Sequence, residues 1–282
     1  MLNKYSIIIY LIIFLYSCTK EVKIDLPKPE TKLVVNSLFT PDSLFTVMIS
    51  KNIDILKDEN PLINNAKVEL YADNQLLEVL KNTSNGFYQS LTNKPKHNIN
   101  YKVIVSATGF NQVSAYDILP SPVKIIETSL TKNAGCDEEG NKMSSISIKF
   151  KDNPKEKNYY KIKVDGFILR SNDPVIKCEG DLDYYPCYLL FKDNLFDGKE
   201  YCLNVKFIIP SSNEYNIIIY LSSLSENYYH YQKKLIRHIY NQTPDIWDGS
   251  GEPVNMYTNV DNGYGIFAGY CVDSDTIKDV IY

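Results

Sequence analysis

The sequence predicts a mostly β protein: an N-terminal immunoglobulin-like antiparallel β-sandwich, then a second antiparallel β domain carrying one amphipathic helix near its C-terminal end. Three observations predict it. From Lys32 onward the chain falls into short runs rich in Val, Ile, Tyr and Thr, side chains that suit a half-buried pleated surface. Turn formers punctuate those runs. One stretch, near the C-terminal end, carries a clear three-to-four-residue apolar period.

Residues 1–17 have the three parts of an export signal: Lys4, an uncharged apolar run from Tyr5 to Tyr16, and a short exit sequence. The run is too short to span a bilayer as a helix, which takes about 20 residues. Leu15-Tyr16-Ser17-Cys18 resembles the lipobox of bacterial lipoproteins, with Tyr16 in place of the usual small residue. The expectation is cleavage before Cys18 and a diacylglycerol on its thiol. Buried acyl methylenes at about 0.8 kcal/mol each would hold a soluble domain on a membrane.

Residues 18–30 are charged, carry Pro27 and Pro29, and read as an extended tether. The β-sandwich is placed at 31–120. KLVVNSL, LFTVMISK, KVELYA, INYKVIVSA and QVSAYD are its strands, and Thr40-Pro41-Asp42-Ser43, Asp73-Asn74, Ser84-Asn85-Gly86 and Gly109 its turns. The two prolines of ILPSPV mark a boundary, and the second β domain is placed at 123–282.

There MSSISIKF and YYKIKVDGFIL read as a hairpin joined by KDNPKEKN, with further strands at CYLLFKD, YCLNVKFIIP and EYNIIIYL. The helix is placed at about 223–241. Leu224, Tyr228, Tyr231, Leu235 and Ile239 form its apolar stripe, and Ser223 with Glu226 a capping box. On that stripe, Leu235→Asp should cost several kcal/mol. EPVNMYTNVDNGYGIFAGY reads as short strands joined by tight turns.

Thirty Lys and Arg stand against 34 Asp and Glu, a net charge of −4, or −5 once Lys4 leaves with the signal. With no basic block, nucleic acid is not an expected partner. Past the inner membrane the remaining five cysteines sit where disulfides form. Cys178 and Cys187 bracket the turn-like GDLDYYP and are expected to pair; Cys136, Cys202 and Cys271 allow one further bridge and leave one thiol over.

Motifs for a serine elbow, a zincin, a P-loop or a dinucleotide fold are absent, and no cofactor is expected. His230 and His238 are eight residues apart, too far for an i, i+4 metal pair, and His97 lies in a polar loop. The Asp181/Asp183, Asp193/Asp197 and Asp273/Asp275 pairs lack calcium-loop spacing, so no metal is expected. No residue is singled out as catalytic. The 23 tyrosines recur in pairs, and in a strand one member of a pair faces away from the core. Tyr184, Tyr185 and Tyr229 are therefore the candidate binding surface, suited to sugars, peptides or a protein.

Four stretches carry a family likeness: CTKEVKIDLPKPETKLVVNS; KFKDNPKEKNYYKIKV; KDNLFDGKEY; and LSSLSENYYHYQKKL with EPVNMYTNVDNGYGIFAGY. In that order they resemble Bacteroidota outer-membrane lipoproteins of domain-of-unknown-function family 4249. The resemblance implies an outer-membrane lipoprotein, commonly encoded beside a TonB-dependent outer-membrane transporter; with the anchor, the β architecture and the missing catalytic motifs, the expectation is a non-catalytic binding or accessory protein. The alternatives are an extracytoplasmic glycan hydrolase and a purely structural envelope protein.

Overall fold

Period-two alternation builds most of the chain into strands. The computed structural model describes residues 30–54, 59–154, 156–168, 188–208, 214–242 and 251–281. The first eight strands are β1 (Leu33–Phe39), β2 (Thr46–Lys51), β3 (Lys67–Ala72), β4 (Gln75–Val79), β5 (Lys81–Ser84), β6 (Phe87–Gln89), β7 (Asn100–Ser106) and β8 (Val113–Ile118). Then come β9 (Ile125–Cys136), β10 (Lys142–Lys151), β11 (Tyr159–Ile168), β12 (Tyr188–Lys192), β13 (Glu200–Phe207) and β14 (Glu214–Leu224). Helix α1 (Glu226–Gln242) follows, then β15 (Val260–Asp261) and β16 (Tyr264–Ile281). The molecule is mostly β, its sheets dominated by antiparallel pairs, with one helix near the C-terminal end among the described residues. No helix among them is long and apolar enough to cross a membrane.

The strands form an eight-stranded sheet of order β12-β11-β14-β16-β1-β2-β6-β5, a five-stranded sheet β15-β8-β7-β3-β4, and a three-stranded sheet β13-β10-β9. One core unites Val35, Ile49, Val68, Val103, Val105 and Ala115 with Phe267 and Cys271 of β16. A second unites Ile146, Ile148 and Phe150 with Tyr160, Ile162, Val164, Val205, Ile217 and Ile219. Fully burying such side chains stabilises the fold by about 1.5–3 kcal/mol each.

The prolines of ILPSPV do fall between these cores, but the backbone does not divide there. The tail EPVNMYTNVDNGYGIFAGY holds the short strand β15, a turn, and the first seven residues of β16, a strand of 18 residues that runs on to Ile281. Its first half runs parallel to β1, Val34 opposite Tyr264 through Phe39 opposite Gly269, and its second half runs antiparallel to β14. β16 thus lends Phe267 to the first core and Ile277 to the margin of the second. Gly265 makes the parallel pairing feasible: at φ +107°, a Cβ there would lie 2.1 Å from the Val35 carbonyl oxygen.

The helix starts later than expected. β14 extends to Leu224, so the cap is Ser225, whose Oγ accepts the Tyr228 N–H at 3.2 Å. Ser223 stays in the strand with its hydroxyl buried and unpartnered among the described residues. The inward face of α1 is Tyr228, Tyr229 and Gln232. Leu235 is only half-buried, because the helix packs through its N-terminal half.

Candidate functional site

Strand register decides what shares a face. Tyr160, Ile162 and Val164 of β11 point into the second core, so Tyr159, Lys161 and Lys163 point to the opposite face of the eight-stranded sheet. Cross-strand pairing lays that face out in rows. Lys192, Tyr159, Leu224 and Tyr270 form the first; Leu190, Lys161, Ser222 and Val272 the second; Tyr188, Lys163, Tyr220 and Ser274 the third. Helix α1 covers the first row with Tyr228 and Tyr229, making a third apolar cluster with Tyr159, Leu224, Ile266 and Ala268. The rows beside it hold a cavity of about 220 Å³, lined by Lys161, Lys163, Tyr220, Ser222, Tyr228, Tyr270 and Val272.

The charges of this cavity are uneven. Lys163 is held 2.7 Å from Asp165 and lies 5.7 Å from the Tyr220 ring centroid. Lys161 forms no hydrogen bond or ion pair with any described residue. Its ammonium sits 5.4 Å from the Tyr188 centroid and 5.5 Å from that of Tyr228. Burial, with the Lys163 charge a smaller contribution, lowers its pKa to about 8. A largely desolvated cation with aromatic neighbours and no counter-ion among the described residues is arranged to receive one.

Beside this face lies a polar node at the junction of β8, α1 and β16. Asp117 is buried and accepts from the Ser225 hydroxyl at 2.5 Å, the Gly269 N–H at 3.0 Å and the Asn227 amide at 3.1 Å. Burial nevertheless pushes its carboxyl up to about 6. The node ties the helix start to the sheet. Glu226, expected to close a capping box, instead accepts from the Tyr159 hydroxyl at 2.6 Å.

The described residues contain one near approach to a nucleophile and base. Cys271 Sγ lies 3.6 Å from His97 Nδ1. Burial pushes the thiol up to about 12, and it donates to the Pro120 carbonyl at 3.3 Å. A buried, protonated thiol is the wrong form for attack. Asp152, Asp193 and Asp197 bring three carboxylate oxygens within 4.8 Å of one another, a donor set suited to a hard cation. They also fasten two loops: Asp152 accepts the Gly198 N–H at 2.7 Å and the Tyr160 hydroxyl, and Asp193 the Asn158 N–H at 2.8 Å. Asp273 and Asp275 secure β9, accepting the Ile125 N–H at 2.8 Å and the Thr128 hydroxyl at 2.5 Å.

Of the residues singled out in the sequence, Cys18, Cys178, Cys187, Tyr184 and Tyr185 lie outside the described ones. Tyr229 is placed otherwise than expected. It is buried, its ring 4.9 Å from that of Tyr159 with Lys192 above both, because the helix covers the outward face of the Tyr159–Tyr160 pair. Cys136, Cys202 and Cys271 are free thiols, so the second bridge does not form among them. Lys161, Tyr220 and Tyr270 were not singled out. Their one sequence signal is alternation: KIKV puts Lys161 and Lys163 on the face opposite its apolar residues.

Residues 19–276 match the model of the family described as Domain of unknown function (DUF4249), and the chain belongs to it. No curated protein matches the chain.

Proposed function

We propose that this member of family 4249 is a non-catalytic lipoprotein of the Bacteroidota outer membrane, held by lipid on Cys18, that acts as a binding or accessory component of a TonB-dependent transporter. The observation that carries the binding role is the cavity beside α1. It offers one ammonium with no ion pair among the described residues and a set of tyrosine rings, chemistry suited to holding a ligand. The Cys271–His97 approach lacks a reactive thiolate, which favours binding over nucleophilic catalysis.

The anchor is supported by the lipobox-like Leu15–Cys18 and the proline-bearing tether after it. The transporter rests on the family likeness. Two measurements test the reading. Cys18→Ala should release the protein from the membrane fraction and abolish acyl labelling; retention with labelling would sink the anchor. Tagged full-length protein solubilised from outer membranes in detergent should co-purify a large β-barrel. Its absence at stoichiometric tag recovery would leave no support for the transporter role.

A further inference from the structure

We propose that the cavity beside α1 binds a single carboxylate carried on a six-membered ring, with the Lys161 ammonium taking the carboxylate and the Tyr220, Tyr228 and Tyr270 side chains taking the ring. The inference rests on the binding role proposed above and specifies its ligand.

Charge selects a monoanion. Lys163 is already compensated by Asp165, which leaves the Lys161 ammonium as the net charge of the cavity among the described residues. A carboxylate neutralises it, whereas a doubly charged phosphate leaves a surplus negative charge in a partly desolvated site. Position favours the same group: the ammonium lies beside ring centroids rather than against an oxygen, so an entering anion displaces no existing ion pair among the described residues.

Size and shape select the rest. About 220 Å³ is below the usual range for drug-sized ligands and suits one ring. The Tyr228 and Tyr270 centroids are 5.5 Å apart and tilted at 51°, so a ring entering above Val272 meets aromatic surface at one wall. The Ser222 hydroxyl beside them offers a polar contact to a ring substituent. Two ring types share this chemistry, a pyranose uronate and an aromatic acid.

The test uses full-length protein in detergent, with D-galacturonate, benzoate, D-galactose and inorganic phosphate as ligands in calorimetric and ligand-observed NMR titrations. At least one acid should bind with Kd near about 1 mM or tighter, and galactose and phosphate about tenfold more weakly or worse. Galacturonate alone binding assigns a sugar acid; benzoate alone assigns an aromatic acid. Lys161→Met should reduce binding of the preferred acid about tenfold at an unchanged urea midpoint, and Lys161→Arg should restore part of it. Val272→Trp, which fills the cavity from an exposed strand position, should abolish binding and leave Lys161 in place.

The inference is overturned if neither acid binds, if galactose or phosphate binds as well as the acids, or if either Lys161→Met or Val272→Trp binds like the parent. Failure of both acids with the barrel still co-purifying refutes this ligand assignment alone. Acid binding without a co-purified barrel refutes the transporter role alone.

Discussion

Asp117 allows the most quantitative forecast. It holds the cap Ser225, the β16 backbone at Gly269 and the helix residue Asn227 at one point. Asp117→Ala removes the acceptor for all three. The Gly269 N–H lies in a buried contact and has no route to water, and a stranded buried donor costs about 1–3 kcal/mol. The Ser225 hydroxyl can turn, and the half-buried Asn227 amide still donates to the Tyr116 carbonyl at 3.3 Å, so together they add about 1–2 kcal/mol.

Against this loss stands relief of a buried charge. The carboxyl rises from 3.8 to about 6 on folding, so the folded protein holds its proton more tightly than the unfolded chain. Ionised at pH 7, it opposes folding by about 3 kcal/mol relative to its neutral form. The parent therefore gains stability from this group as pH falls from 7 through 6 toward 4. Between pH 7 and pH 5 the gain is about 1 kcal/mol. With about 2–5 kcal/mol lost and about 3 kcal/mol regained, Asp117→Ala should lie within about 2 kcal/mol of the parent at pH 7 and fall about 1 kcal/mol further below it at pH 5. Urea unfolding of both proteins at both pH values, followed by far-ultraviolet circular dichroism, measures the gap. A gap that stays constant or narrows toward pH 5 refutes the raised carboxyl. No gap at either pH refutes the role of the node in holding the helix.

Two further outcomes concern packing. Gly265→Ala should lower Tm by about 5 °C or more, since a methyl at φ +107° meets the Val35 carbonyl and must part β1 from β16; an unchanged melting curve would mean that pairing is absent in solution. Tyr229→Ala should destabilise by about 3 kcal/mol, whereas Leu235→Asp should cost about 1 kcal/mol, because the first empties a packed ring site and the second alters a half-buried position; urea midpoints in the reverse order would relocate the helix contact.

Strands with one buried face were the legible part of the sequence. β1, β3, β7 and β10 alternate buried with more exposed residues, and each is found within a residue or two of its expected place. β9 was missed because it is mostly exposed, so IETSLTKN carries no apolar period to read. The second half of β16 was missed for a related reason: Asp273 and Asp275 look like loop carboxylates until Ile125 and Thr128 are seen to be their partners. The capping residue was misplaced by two because strand and helix meet without a loop, and Ser222, Ser223 and Ser225 are equivalent to a local reading. The cavity was illegible because its walls come from strands and a helix far apart in sequence, and only register brings Lys161 opposite Ser222.

That register also explains why the pocket lies where it does. An eight-stranded sheet with one core behind each half has an opposite face to cover, and α1 is the covering element beside β14 and β16. Its buried contact is confined to its first two turns, because Ser225 and Asp117 pin that end while Leu235 and beyond lie at the margin. The helix therefore shields Tyr159 and Leu224 and stops short of the Lys161 and Lys163 rows. A longer buried stripe would bring Leu235 and Ile239 toward the face and favour apolar residues beneath them. Lysines and tyrosines stand there instead, amphipathic side chains that tolerate partial burial and keep a polar end available. The short purchase of the helix and the composition of the uncovered rows are two aspects of one arrangement, and the cavity is the space between them.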